Sequence, residues 1–221
     1  MLISVHIPKC AGTSFRHVLQ GLYGERIRLN YGEIFSRAQA RPALVPAGTA
    51  CIHGHFFADA FDDFYPKATF ITWLRHPVER VVSNYEHFLR SPDWRDDCCR
   101  ALYGQRLGLR EFAELEWMRN MATRYLADKS LAEFAFVGVA ERFSESLHVF
   151  GAACGWPTDL PAPRENINPL RARPRYSLAP ETYEHLLALN GDDLAIYEQA
   201  VARLDALLDR ESLASHATCA A

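Results

Sequence analysis

Short apolar runs alternate with stripes of helical period along this chain. Leu2–Ile7 is an apolar run broken at Pro8. Beyond a stretch of small and polar residues, Phe15, Val18, Leu19 and Leu22 recur at three- and four-residue spacing. That pattern predicts a strand, a loop, and a helix from about Ser14 to Tyr23. Arg26–Asn30 and Ala50–His53 are predicted short strands, with a loop over Ala40–Thr49 that holds Pro42, Pro46 and Gly48. Ala68–Leu74, ATFITWL, is rich in β-branched and aromatic residues and predicts a further strand. Pro77 then opens a helix, its fixed φ suiting the first helical position. Val78, Val81, Val82, Tyr85, Phe88 and Leu89 form the expected buried stripe of that helix. Residues 93–128 read as a helical insertion, Phe134–Val139 as a strand and Glu141–Ala153 as a helix. Pro157–Pro180 reads as a loop rich in proline and arginine, and two helices are expected over about 180–210.

Strands alternating with helices imply an α/β fold: three layers, with a central parallel sheet covered on both faces. The whole chain, 1–221, reads as one domain of this kind. Such sheets bind ligands beyond the carboxyl ends of their strands. Three polar motifs are expected just after a strand: Pro8–Ser14, His53–His55 and Arg75–Pro77.

Composition narrows the function classes. The chain is 49% apolar and 23% charged with a net charge of −3, so no general basic field favours nucleic acid. No apolar run approaches the roughly 20 residues of a membrane helix. Lys9 interrupts the first apolar run too early for a secretory signal. The expected location is therefore the cytoplasm, where the six cysteines (10, 51, 98, 99, 154, 219) are expected as thiols rather than a disulfide frame. Cys98-Cys99 lacks the spacing of a redox or zinc pair.

The first polar motif, HIPKCAGTSF, has the chemistry of an anion site. A loop feeding a helix N-terminus presents unpaired N–H groups and the positive end of the helix dipole. Cys10, Ala11 and Gly12 are small enough for an anion to approach the backbone, Thr13 and Ser14 add hydroxyl donors, and Lys9 adds a full charge. It is not the G-x-x-x-x-G-K-[ST] loop of nucleoside triphosphatases, because Lys9 stands four residues before Thr13 and there is a single glycine. The plain alternative is a turn whose Ser14 caps the helix. In the second motif, LRHPVERVVSNY, Arg75 ends a strand and Ser83 lies about two turns into the next helix. Guanidinium and hydroxyl there could grip one phosphate, or serve as a surface ion pair and a solvated serine.

Together these motifs resemble the sulfotransferases that use 3′-phosphoadenosine 5′-phosphosulfate (PAPS). HIPKCAGTSF is similar to the family's 5′-phosphosulfate loop, and LRHPVERVVSNY, an arginine and serine with seven residues between them, to its 3′-phosphate motif. FVGVAERFSESL, Phe136–Leu147, is similar to a later strand and helix of the family. The H-G-H at His53–His55 resembles the carbohydrate branch, particularly the uronosyl 2-O-sulfotransferases. The resemblance implies that Lys9, Cys10, Ala11, Gly12, Thr13 and Ser14 hold the 5′ phosphosulfate, and Arg75 and Ser83 the 3′ phosphate. It implies PAPS as donor, 3′-phosphoadenosine 5′-phosphate (PAP) as product, and a saccharide or other small-molecule hydroxyl as acceptor. His76 stands where the family often has aspartate, and Cys10-Ala11 where it often has Thr-Gly. The sequence starts at the first strand without the membrane anchor of Golgi members, which points to a soluble bacterial type.

A hydroxyl acceptor must lose a proton, a duty that suits histidine near neutral pH. His55 is the candidate base and Lys9 the candidate stabiliser of the leaving oxygen. His53 is the candidate support for His55, provided the segment stays extended across Gly54 so that the two share a face. Zinc ligation by the two histidines with Cys51, or a core role for His53, are the competing readings; no metal is expected, since no fourth ligand is suitably spaced. The segment Arg164–Arg175 holds four arginines that could close over the cofactor, meet an anionic acceptor, or form a solvated loop. WMRNMATRYLA, Trp117–Ala127, resembles a family segment beside the acceptor cleft, though helix packing accounts for its apolar residues equally. At the level of function, a nucleotide-dependent kinase and a non-catalytic nucleotide-binding module remain as alternatives.

Overall fold

A computed structural model describes residues 1–32, 35–41, 44–157, 160 and 176–219. Five strands form one sheet in the order β2-β3-β1-β4-β5, every neighbouring pair parallel. They are β1 (Leu2–Val5), β2 (Ile27–Tyr31), β3 (Cys51–His55), β4 (Thr69–Leu74) and β5 (Phe134–Val139). Helices α1 (Gly12–Tyr23) and α2 (Pro77–Arg90) follow β1 and β4. Three short helices, α3 (Asp97–Gly104), α4 (Leu109–Glu114) and α5 (Met121–Leu126), make up the predicted insertion. The described chain ends in α6 (Phe143–Cys154), α7 (Pro180–Ala188) and α8 (Gly191–Cys219). The α/β expectation holds. Every residue of β1 is buried, as in a strand covered on both faces.

Several predicted boundaries shift, each for a local reason. Helix α1 starts at Gly12 rather than Ser14, because Ala11 takes a left-handed φ of 61° and turns the chain into the helix. The N-cap position falls on Ala11, which has no capping side chain, and not on Ser14, which is buried in the first turn. Leu89, expected in the buried stripe of α2, is 47% exposed. Its neighbour Phe88 takes the covered position, packing edge-on to Phe112, and a helix turns about 100° per residue. The predicted strand at Ala50–His53 runs on to His55, so the H-G-H motif lies within β3 rather than after it.

A buried polar network ties the helical insertion to the C-terminal helices. Arg80 on α2 is 0% exposed. Its Nη2 donates to the Met118 carbonyl (2.6 Å) and Asn190 Oδ1 (3.3 Å), and its Nε lies 3.8 Å from Asp193 Oδ2. Asp193 in turn accepts from the amides of Ala122 (3.0 Å) and Thr123 (2.8 Å) and from Thr123 Oγ1 (2.9 Å). The carboxylate therefore neutralises Arg80 and also satisfies the first-turn amides of α5, which would otherwise be unpaired. Among the described residues no helix is long and apolar enough to cross a membrane.

Candidate active site

The strand order places the carboxyl ends of β3, β1 and β4 side by side. The H-G-H segment closes β3, and the lysine loop and Arg75 follow β1 and β4, at the edge where open parallel sheets bind ligands. Two non-glycine residues of the loop, Lys9 (φ 66°) and Ala11 (φ 61°), are left-handed. Left-handed backbone at residues with a Cβ is strained and clusters at functional positions. The N-cap residue of α1, Ala11, offers no side-chain oxygen to the first-turn N–H groups, and that turn starts at this end of the sheet.

Gly12 is required here by space. A Cβ on it would lie 1.9 Å from Cδ2 of His6, a residue that sequence reasoning passed over. The His6 ring lies under the loop, with its Nδ1 2.9 Å from the Tyr31 hydroxyl. It stacks on His53 (centroids 5.1 Å apart, 15° between planes) and lies 4.3 Å from the His55 ring. The backbone carbonyl of the same residue accepts a hydrogen bond of 2.6 Å from His55 Nδ1. His6 thus joins the lysine loop to the H-G-H pair. Its position at the end of a strand was legible; its neighbours depend on the strand order, which was not.

The two predicted histidines have different surroundings. Both point to one face of β3, as the extended backbone requires. In the register Ser4 pairs with His53 and Tyr31 with His55. The Ser4 hydroxyl lies 2.9 Å from His53 Nδ1, and the Tyr31 ring stands edge-on to His55 at 4.9 Å. His53 is 1% exposed, and burial, with the His55 charge second, lowers its pKa to about 3. It stays neutral at working pH. His55 is partly exposed at the strand end. Since a carbonyl can only accept, its Nδ1 carries the proton, and Nε2 has no partner among the described residues. Burial lowers the His55 pKa below the ordinary histidine value; the His6 carbonyl opposes that shift and the Lys9 charge adds to it. A neutral ring with its Nε2 lone pair unshared is the form a general base needs. Between the two histidines, a Cβ on Gly54 would sit 1.7 Å from the Asn30 carbonyl oxygen of β2, so no larger residue fits.

Lys9 is partly buried, and burial first, then the charges of Arg75 and Arg90, lower its pKa to about 8. Arg75 Nη1 donates to the Lys9 carbonyl at 3.3 Å. Its guanidinium also faces Glu79 (3.5 Å) and Glu141 (3.9 Å), two carboxylates that the sequence reading did not single out. Ser83 is half-buried on α2, with no side-chain hydrogen bond among the described residues. His87, one turn beyond Ser83, feels the charges of Lys9 and Arg90, so the end of α2 borders the same basic region. Cys10 is buried and its thiol is pushed up to about 12 by burial, so it acts as a small neutral residue and not as a nucleophile. Cys51, Cys98 and Cys99 are likewise free and buried. Among the described residues no three His, Cys, Asp or Glu side chains are placed to hold a metal ion. The Arg164–Arg175 segment lies outside the described residues.

No family model matches the sequence, and no curated protein matches it. The structure is similar to the crystal structure of a sulfotransferase from Alicyclobacillus acidocaldarius, with a TM-score of 0.51 and 18% identity over 90% of this chain and 95% of that one. It is also matched with mouse sulfotransferase SULT7A1 complexed with PAP, at a TM-score of 0.48 and 14% identity over 71% of this chain and 59% of that one. The three-layer α/β architecture, a central parallel five-stranded sheet flanked by helices, is therefore one that this chain shares with a bacterial sulfotransferase.

Proposed function

We propose that the protein is a PAPS-dependent O-sulfotransferase whose acceptor is a hydroxyl on a carbohydrate or glycoside. One observation supports the reading: the first loop is held from both sides, the Arg75 guanidinium donating to the carbonyl of Lys9 and His55 Nδ1 to the carbonyl of His6. The shared fold with a bacterial sulfotransferase supports it.

The residues fit such a donor. The uncapped first turn of α1, Gly12 with its missing side chain, Thr13 and Ser14 would receive the 5′ phosphosulfate. Arg75 and Ser83 would take the 3′ phosphate, the guanidinium exchanging its loose carboxylate pairs for a closer anion. His55 Nε2 removes the acceptor proton as the acceptor oxygen bonds to sulfur. The bond from sulfur to the phosphate oxygen breaks, and Lys9 with the helix N-terminus stabilises the charge left on that oxygen. His53, neutral and bonded to Ser4, holds the stack of rings behind His55.

Thermal melting in the presence of PAP, ATP and ADP tests the donor. PAP at 100 times its dissociation constant is expected to add about 2.7 kcal/mol, roughly 5–10 °C for a domain of this size. A shift with ATP and none with PAP would instead favour the kinase reading. PAP binding with no transfer to any hydroxyl in an acceptor screen would favour a non-catalytic module.

Lys9 makes the affinity depend on pH. Its ammonium is held with a pKa of about 8, and a bound anion favours the protonated form. Above pH 8 binding must therefore take up a proton. Between pH 7 and pH 9 the Kd for PAP is expected to rise up to about tenfold. Titration calorimetry at the two pH values reads the change. Lys9→Arg is expected to flatten it, and an equal slope in that variant would remove Lys9 from the anion site.

A further inference from the structure

The ring of His6 touches both halves of the site. Its centroid lies 4.3 Å from that of His55. Its Cδ2–Nε2 edge fills the side-chain space of Gly12, with Nε2 2.1 Å from the position a Cβ there would take. The proposed base is thus on one side of this ring, and the loop proposed for the phosphosulfate is on the other. A sulfuryl group passing from loop to acceptor moves beside His6.

The neighbours of His6 decide where its proton sits. The Arg16 guanidinium hydrogen-bonds to the Tyr31 hydroxyl. A guanidinium can only donate, so the Tyr31 oxygen accepts from it. The Tyr31 O–H then donates to His6 Nδ1, 2.9 Å away. Burial first, then the charges of His55, His53, Arg16 and Lys9, keep the His6 ring neutral. A neutral imidazole whose Nδ1 accepts carries its proton on Nε2. That Nε2–H has no partner among the described residues and is not enclosed. His55 holds the opposite tautomer, with its proton on Nδ1. The two adjoining rings therefore leave one lone pair, on His55, and one N–H, on His6, without a protein partner.

We infer that His6 is a further catalytic residue of this site, its Nε2–H donating to an oxygen of the sulfuryl group in transit. The inference rests on the sulfotransferase reading. A neutral donor suits the step. The sulfuryl group passes charge to the departing phosphate oxygen as their bond breaks, and a cation fixed on it would hold that charge back. A second imidazolium would also oppose the proton that His55 takes up. No proton is exchanged at His6; its hydrogen bond holds the group in line between the entering and leaving oxygens.

PAPS carries the sulfuryl group and PAP lacks it, so the two ligands separate this contact from the rest of the site. His6→Met keeps the length of the side chain without a donor, and His6→Gln puts an N–H back near the Nε2 position. His6→Met is expected to bind PAPS about tenfold more weakly, the worth of one hydrogen bond to a charged group, with the Kd for PAP unchanged. Its kcat should fall roughly 10–100-fold. His6→Gln should recover most of both. Long-range proton–nitrogen NMR of the wild type should find the His6 proton on Nε2. If the His6 variants do not fold, Tyr31→Phe, at a residue 40% exposed, still tests the device: part of that proton should move to Nδ1, and kcat should fall. A parallel loss of PAP and PAPS affinity, equal kcat in the Met and Gln variants, or a wild-type proton on His6 Nδ1 would each overturn the assignment and leave the donor reading in place. A wild type that binds neither PAP nor PAPS would remove the sulfotransferase reading and this role with it.

Discussion

Replacing His55 by alanine is expected to lower kcat by about 10²–10⁴-fold, the usual worth of a placed general base, with PAP binding retained. The expectation follows from the tautomer. The His6 carbonyl takes the Nδ1 proton of His55, so Nε2 is left as the lone pair of this ring that can accept one. PAP affinity should survive because no phosphate-binding role falls to His55, and because its ring touches His6 and Tyr31 rather than the first turn of α1. His55→Gln, which can still donate to the His6 carbonyl, should be as inactive as the alanine variant. The wild-type pH profile supplies a second check. Burial lowers the pKa of His55, so the base is deprotonated at neutral pH and the acid limb of kcat should fall below the ordinary histidine value. PAP release measured with a glycoside acceptor gives all three results. Near-normal turnover by both variants would take the role away from His55.

Asp193→Ala is expected to destabilise the fold by about 3–5 kcal/mol, the cost of breaking a buried ion pair from one side. The loss has two parts. Arg80 keeps its charge in a site where it is 0% exposed, with neutral oxygens and the sulfur of Met121 as its remaining partners. The amides of Ala122 and Thr123 lose their acceptor at the start of α5. Urea denaturation followed by circular dichroism measures the change. The double variant Arg80→Met with Asp193→Ala should recover much of it, because removing both charges costs less than removing one. A single variant within about 1 kcal/mol of wild type would show that the network contributes little.

The site was partly legible because its loops follow directly from local sequence. The run Leu2–Ile7, the break at Pro8 and the small residues up to Gly12 are enough to place a tight loop between strand and helix. Pro77 marks α2 in the same way. Three features lay beyond local reading. The stack of His6 on His53 joins residues 47 positions apart and depends on β1 pairing with β3, which alternation of strands and helices does not specify. The left-handed turn at Ala11 moved the start of α1 two residues back, because alanine gives no warning of a positive φ. Glu79 and Glu141 meet at Arg75 from a helix and from the turn after β5, and their pairing with it required the third dimension.

The Asn30 carbonyl that fills the side-chain space at Gly54 binds two histories together. Any lineage that gains a side chain at that position must first push its outermost strand away, and Tyr31 with it. The two histidines and the rim of the sheet can therefore drift only as one inherited block, and efforts to graft H-G-H onto another scaffold should carry the neighbouring strand along.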